Sequence, residues 1–176
     1  PVIDGENAVQ GAGTHVRSLL SLRNGAQHVV VEGLEFRNAH VDYAHAGLFP
    51  AFNASGIYVE DASYVVIRDC ELHHNGNGLF SAPGTVDLRV EGNYLWGNGN
   101  VGRAFEHNSY TETDGIVFEG NRYGPLCTGC PGNNLKDRSA GTVIRYNFIE
   151  GGNRALDLVH AETDDADFTM RVATTP

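Results

Sequence analysis

Val65-Val66-Ile67-Arg68-Asp69-Cys70-Glu71-Leu72-His73-His74-Asn75-Gly76 is the fullest statement of a phrase to which the chain keeps returning. Shorter versions begin at Val29, Leu88, Ile116 and Thr142. Placed in register, one apolar column reads Val29, Val65, Leu88, Ile116, Thr142 and the next reads Val31, Ile67, Val90, Phe118, Ile144. A third reads Phe36, Leu72, Leu95, Tyr123, Ile149, and the column before it reads Leu34, Cys70, Asn93, Asn121, Asn147. The steps are 36, 23, 28 and 26 residues, the range of a repeat architecture.

Each copy alternates apolar and polar residues ahead of a Gly/Asn turn, which is the pattern of a short half-buried strand. One such unit cannot bury its apolar face, whereas stacked units can, with backbones about 4.8 Å apart. Every copy runs in the same direction, so the strands must be parallel. Asparagines repeated at one turn position can bond to one another along the stack. These features predict an all-β solenoid, a parallel β-helix of about six coils at roughly 25 residues each. The five phrases are expected to lie side by side as adjacent strands of one sheet.

The 176 residues suit a single domain, 1–176, and no long segment keeps the 3.6-residue apolar period of a helix. No apolar run is long enough to span a membrane as a helix. Pro1-Val2-Ile3-Asp4-Gly5 reads as a strand entering a turn rather than a leader peptide. The chain thus starts as if in mid-fold, after removal of earlier segments or as a fragment of a longer solenoid. End-to-end stacking with further coils follows from that reading. A formal charge of −10 argues against a nucleic-acid partner.

A second set of strands lies between the phrases. It sends Ile57, Leu79, Ser109, Leu135 and Leu156 inward, so Tyr58, Phe80, Tyr110, Lys136 and Asp157 face outward as a column. Beside it run Glu60, Ala82, Glu112, Arg138 and Val159. Aromatic faces suit sugar rings, and a row of them suits a polymer. Lys136, the one lysine in the chain, can carry a proton if a neighbouring cation such as Arg138 lowers its pKa. Stacked aromatics and a cross-strand Lys136–Asp157 pair also stabilise a sheet with no ligand present. His107 and His160 flank this surface as substrate-binding candidates, while His73 and His74 read as a solvated turn.

Cys127-Thr128-Gly129-Cys130 sits in a Gly/Pro loop outside the repeat and is open to three readings: half a zinc site, a redox pair or a disulfide. Nothing completes a zinc site and no βαβ pattern surrounds the pair. A Cys127–Cys130 disulfide in an exported protein is therefore preferred, secreted, periplasmic or at the cell surface. Cys70 reads as a buried structural thiol. The excursion from Asn38 to Ser55, with His40, Asp42, Tyr43, His45, Phe49 and Phe52, is either a binding insertion or a lid over an apolar seam. Asn53-Ala54-Ser55 is formally a glycosylation acceptor. The run Glu162, Asp164, Asp165, Asp167 offers oxygens to calcium or is simply solvated.

The repeats, the asparagine column and the stretch Val65–Leu79 resemble the right-handed parallel β-helix proteins of the pectate-lyase-like superfamily, over about Val29 to Leu158. That resemblance implies a secreted carbohydrate-active protein, a polysaccharide lyase, glycoside hydrolase or epimerase, binding a sugar chain on an outward sheet face. Asn133–Ala161 is similar to the alginate lyase and chondroitinase B family, which pairs a lysine base with an arginine and uses calcium on the uronate carboxylate. Lys136 corresponds to the base. Val159 stands before His160 where that pattern has its arginine, so Arg138 or Arg154 would take the role.

Three functions follow. The first is β-elimination on a uronate-containing polysaccharide, with Lys136 as base, Arg138 or Arg154 on the enolate charge and Tyr110 protonating the leaving oxygen. Tyr58, Phe80, Glu112, His107, Asp157 and His160 would bind the sugar chain. The second is hydrolysis by Glu60 and Glu112, two coils and so roughly 10 Å apart. The third is a non-catalytic stalk, adhesin or sugar-binding segment.

Overall fold

The computed structural model describes residues 1–5, 18–39 and 54–160, and these form only strands, turns and loops. After β1 (Val2–Asp4) come β2 (Ser18–Leu22), β3 (Ala26–Gln27), β4 (Val30–Glu32) and β5 (Glu35–Arg37). Later coils carry three strands each. The first of these has β6 (Ser55–Val59), β7 (Ala62–Arg68) and β8 (Glu71–His73), and the next has β9 (Asn77–Ser81), β10 (Val86–Glu91) and β11 (Tyr94–Trp96). β12 (Ser109–Thr111), β13 (Asp114–Glu119) and β14 (Arg122–Tyr123) follow. β15 (Leu135–Asp137), β16 (Val143–Arg145) and β17 (Phe148–Ile149) complete another coil, and β18 (Leu156–Leu158) is the last strand described.

Strands of successive coils pair in parallel, giving three six-stranded sheets. Sheet one holds β2, β6, β9, β12, β15 and β18; sheet three holds β1, β5, β8, β11, β14 and β17. Sheet two runs from β16 through β13 and β10 to β7, where β3 and β4 both pair with the long β7. The chain is a right-handed parallel β-helix.

The expected registers hold residue for residue: Leu88 pairs with Val65 and Ile116, and Leu95 with Leu72 and Tyr123. One expectation does not hold. Each repeated phrase is two strands in two different sheets, not one strand in one sheet. The chain bends between Arg68 and Glu71, between Glu91 and Tyr94, and between Glu119 and Arg122. The residue before the asparagine column makes the bend by adopting positive φ: Gly33 at 66°, Asp69 at 52°, Gly92 at 62°, Gly120 at 67° and Tyr146 at 58°. Glycine takes this conformation without steric cost, which is why it recurs in the phrase.

Behind that bend the asparagines form a ladder. Asn93 Nδ2 donates to Asn121 Oδ1 at 3.0 Å, and Asn121 Nδ2 to Asn147 Oδ1 at 2.9 Å. Each Oδ1 also accepts the backbone N–H of the coil before, ending at Cys70 N–H on Asn93 Oδ1. Cys70 is a free, buried thiol pushed upward in pKa by burial. A second ladder, Asn75–Asn98–Asn108–Asn134, lines the corner between sheets three and one.

Inside, Ile57, Ile67, Leu72, Leu79, Leu88, Leu95, Ile116, Phe118 and Leu135 are all at or below 1% exposure. Burial of each such side chain contributes roughly 1.5–3 kcal/mol. The inward position of β12 is Ser109, whose hydroxyl donates to the buried Tyr123 phenol oxygen at 3.3 Å. The last coil differs: Phe148, Leu156 and Leu158 are 60%, 44% and 61% exposed. Leu156 is thus inward by register and yet half open to solvent, because no described coil follows it.

Candidate functional site

Sheet one positions the site. Its strand pairing aligns Tyr58 with Phe80, Phe80 with Tyr110, Tyr110 with Lys136 and Lys136 with Asp157, on the face opposite Ile57, Leu79, Ser109 and Leu135. Tyr58 and Phe80 stack with centroids 5.4 Å apart, and Tyr110 meets Phe80 edge-on at 5.3 Å. Tyr58 is buried, and its phenol is pushed up to about 12 by burial first and by Glu60 second.

Lys136 and Arg138 converge on Tyr110. Lys136 Nζ lies 4.6 Å from the Tyr110 ring centroid, and Arg138 Nε donates to Tyr110 Oη at 2.9 Å. Arg138 also reaches the His160 carbonyl with Nη1 at 2.6 Å. Two cations and a phenol therefore occupy one patch over two adjacent coils. Such a patch suits an anionic substrate and supplies groups able to move protons. Glu112 lies just past the end of β12 and is 6% exposed.

Arg154 stands apart from this trio, on the turn before β18, with Nε 3.7 Å from Asp157 Oδ1. Asp157 accepts a second contact from Asn133 Nδ2 at 2.7 Å. Glu60 is engaged by Arg23 at 2.7 Å, so one of the two carboxylates in the hydrolytic reading is held in an ion pair.

His107 lies beside Tyr110, edge-on at 5.4 Å, and is fully buried. Its Nδ1 accepts the Asn133 backbone N–H at 2.8 Å, just as Asn77 Oδ1 accepts the His107 N–H at 2.8 Å. The imidazole thus serves as a rung in a short polar ladder. Burial, and secondarily the Lys136 charge, lower its pKa to about 3. It is neutral at ordinary pH, with its proton on Nε2.

The reading of His73 and His74 as a solvated turn holds for His74, which is exposed in a bend, but needs correction for His73. His73 belongs to β8 and is 8% exposed. Its Nε2 is 3.1 Å from Glu35 Oε1, its ring stacks on Trp96 at 4.7 Å, and His74 shares a 2.7 Å contact between Nδ1 atoms. The cause is register: Trp96 falls directly beside His73 in the next coil.

The Cys127 and Cys130 sulfurs are at bonding distance, with Cα atoms 5.3 Å apart. Their loop packs on Gly99, where any β-carbon would come within 2.9 Å of Cys130 Cβ. Among the described residues no group of three or more His, Cys, Asp or Glu has the geometry to hold a metal ion. The acidic run 162–167, most of the 38–55 excursion and Asn53 lie outside the described residues. No described helix is long and apolar enough to cross a membrane.

Asn133 is the site residue that the outward-column reading missed. It immediately precedes the ladder residue Asn134, as His107 precedes Asn108, and that doubled pattern was the available signal.

Three parallel sheets closed by asparagine ladders, with aromatics and cations along one outer face, define a right-handed parallel β-helix repeat protein. A family model described as "Right handed beta helix region" matches residues 20–170, and the chain belongs to that family. No curated protein and no solved structure matches it.

Proposed function

We propose that the protein is an exported polysaccharide lyase that cleaves a uronate-containing chain by β-elimination at the Lys136–Tyr110–Arg138 patch. The observation that carries this reading is the convergence of both cations on Tyr110, at the end of the Tyr58–Phe80–Tyr110 row. The row provides apolar rings for successive sugars. Lys136 Nζ, in its neutral form, takes the proton from the carbon next to the uronate carboxylate. The C–H electrons become the new double bond, and the bond to the leaving glycosidic oxygen breaks. Tyr110 supplies the proton to that oxygen, and Arg138 offsets the negative charge that builds on the carboxylate in the transition state. Arg154, beside Asp157, is a further cation one coil on.

The test is direct. Soluble polymers of galacturonate, glucuronate and mannuronate are each incubated with the protein. Ultraviolet absorbance of an unsaturated uronate product supports the lyase. New reducing ends without that absorbance would return the hydrolytic reading to first place. A second reading, a non-catalytic segment that stacks on further coils, draws support from the last described coil, where Phe148, Leu156 and Leu158 are exposed. Absence of cleavage of every polymer would favour it.

A further inference from the structure

Two buried polar atoms beside the proposed site have no partner among the described residues: His107 Nε2 and Asn133 Oδ1. Their residues are 0% and 5% exposed and lie in register on adjacent coils, each one residue before a rung of the second asparagine ladder. Leaving such atoms unsatisfied is costly, so a pair of them on a candidate binding face calls for an explanation.

The chemical character of both atoms is determined by their neighbours. Asn133 N–H bonds to His107 Nδ1, which makes Nδ1 the acceptor and leaves the proton on Nε2. Asp157 Oδ2 accepts from the Asn133 amide nitrogen, which leaves Oδ1 as the acceptor end and rules out the flipped amide. The unmet pair is therefore one donor and one acceptor, carried by residues that follow the register of adjacent coils and already share the Asn133 N–H to His107 Nδ1 bond.

A carboxylate only accepts and would face the lone pairs of Asn133 Oδ1. An ammonium only donates and would face the His107 Nε2 proton. A hydroxyl does both. We propose that His107 Nε2–H and Asn133 Oδ1 together bind one hydroxyl of the sugar chain, making them substrate-orienting residues next to the reacting ring. This rests on the reading that the sheet-one face binds a polysaccharide. His107 borders Tyr110, and Lys136 lies against the same Tyr110 ring. Tyr110 and Lys136 are only half-buried, and a side-chain shift of these two residues as the sugar chain docks would open the way to the pair. In the free protein a water is the natural occupant, since it too donates and accepts, and a sugar hydroxyl that replaces it keeps both bonds.

The experiment uses the whole chain, labelled with nitrogen-15, and follows the His107 ring nitrogens and Cε1 proton by NMR. Short galacturonate, glucuronate and mannuronate oligomers are titrated in, each alongside its carboxyl-reduced counterpart, which keeps the ring hydroxyls but has no charge. The expected result is a shifted His107 Nε2–H signal with at least one uronate oligomer, and a smaller shift at higher concentration with its reduced form. Asn133→Ala, which retains the backbone N–H on Nδ1, should weaken that binding about tenfold. It should raise KM far more than it lowers kcat.

The failures are distinguishable. Cleavage with the His107 ring unmoved, or equal affinity in Asn133→Ala, overturns the hydroxyl site and leaves the lyase reading standing. A moved ring with both oligomer forms and no cleavage overturns the lyase reading and supports the hydroxyl site. A ring unmoved by every oligomer means that the pair holds a structural water only, and overturns the proposal.

Discussion

Arg138 Nε donates a 2.9 Å hydrogen bond to the Tyr110 phenol oxygen from the neighbouring coil, while Lys136 Nζ sits 4.6 Å from the centre of the same ring. Two positive charges are thus held near one another by an uncharged aromatic group. Strand register sets Lys136 beside Tyr110, and Arg138 follows two residues on.

Lys136→Arg separates a proton-transfer role from a structural one. Arginine keeps the charge and the contact with the ring, but it does not give up its proton at working pH. Turnover of a cleaved uronate polymer should fall roughly 10²–10⁴-fold, as for loss of a general base. If Lys136 contributes only as a structural cation on the sheet surface, the change costs about 0–1 kcal/mol and turnover is nearly unaltered. Initial rates at matched folded concentration decide between the two outcomes.

The asparagine ladder should be worth most where it is buried. Asn121 is 1% exposed, and its Oδ1 accepts both the backbone N–H and the side-chain amide of Asn93. Asn121→Ala strands those donors away from water and should destabilise the protein by about 3 kcal/mol. Asn147 sits in the last complete coil and is only half-buried, so water can replace its contacts. Asn147→Ala should cost about 1 kcal/mol. Urea unfolding of the two variants checks the ranking, and equal losses would mean that the ladder does not organise the corner.

Much of this architecture could be read from residue order, and the reason is period two. Val65, Ile67 and Leu72 align with Leu88, Val90 and Leu95 without any three-dimensional information. Likewise Tyr110, Lys136 and Asp157 fall into one outward column. The bend inside each phrase was not legible. It depends on positive φ at Asp69 and Tyr146 as much as at Gly92 and Gly120, and side-chain identity does not announce it at the former two. The second ladder stayed hidden because Asn98 and Asn108 are separated by a loop yet stack as neighbours. His73 was misread for a related reason: its burial comes from Trp96 and Glu35 in other coils. The chemistry around His107 depends on two hydrogen bonds that no spacing rule predicts.

The Cys127–Cys130 bridge should be present in protein taken from an oxidising compartment. Mass measurement after alkylation, with and without prior reduction, reads this directly. Cys70 is buried and free, so the unreduced, denatured sample should take up one label and the reduced sample three. Three labels without reduction would count against both the bridge and export.

His107 makes a pH prediction with a definite sign. In the folded protein its pKa is lowered from 6.5 to about 3, by burial first and by the Lys136 charge second. Tyr110 packs edge-on against the same ring. Above pH 6.5 the imidazole is neutral in both folded and unfolded chains, so it contributes no pH dependence there. Between 6.5 and about 3 the unfolded chain takes up a proton that the folded chain refuses. The unfolded state then binds more protons, and stability is lost progressively as pH drops through that window. His107→Asn provides the control, because an asparagine side-chain oxygen can accept the Asn133 N–H as Asn77 accepts that of His107. Carboxylates elsewhere titrate in both proteins and cancel in the comparison. Urea unfolding of the two proteins from neutral to acid pH should show wild type losing up to a few kcal/mol more than the variant. Parallel curves would show that the folded protein accommodates a charged His107, and with it that the Nε2 proton is not held there by the Asn133 contact.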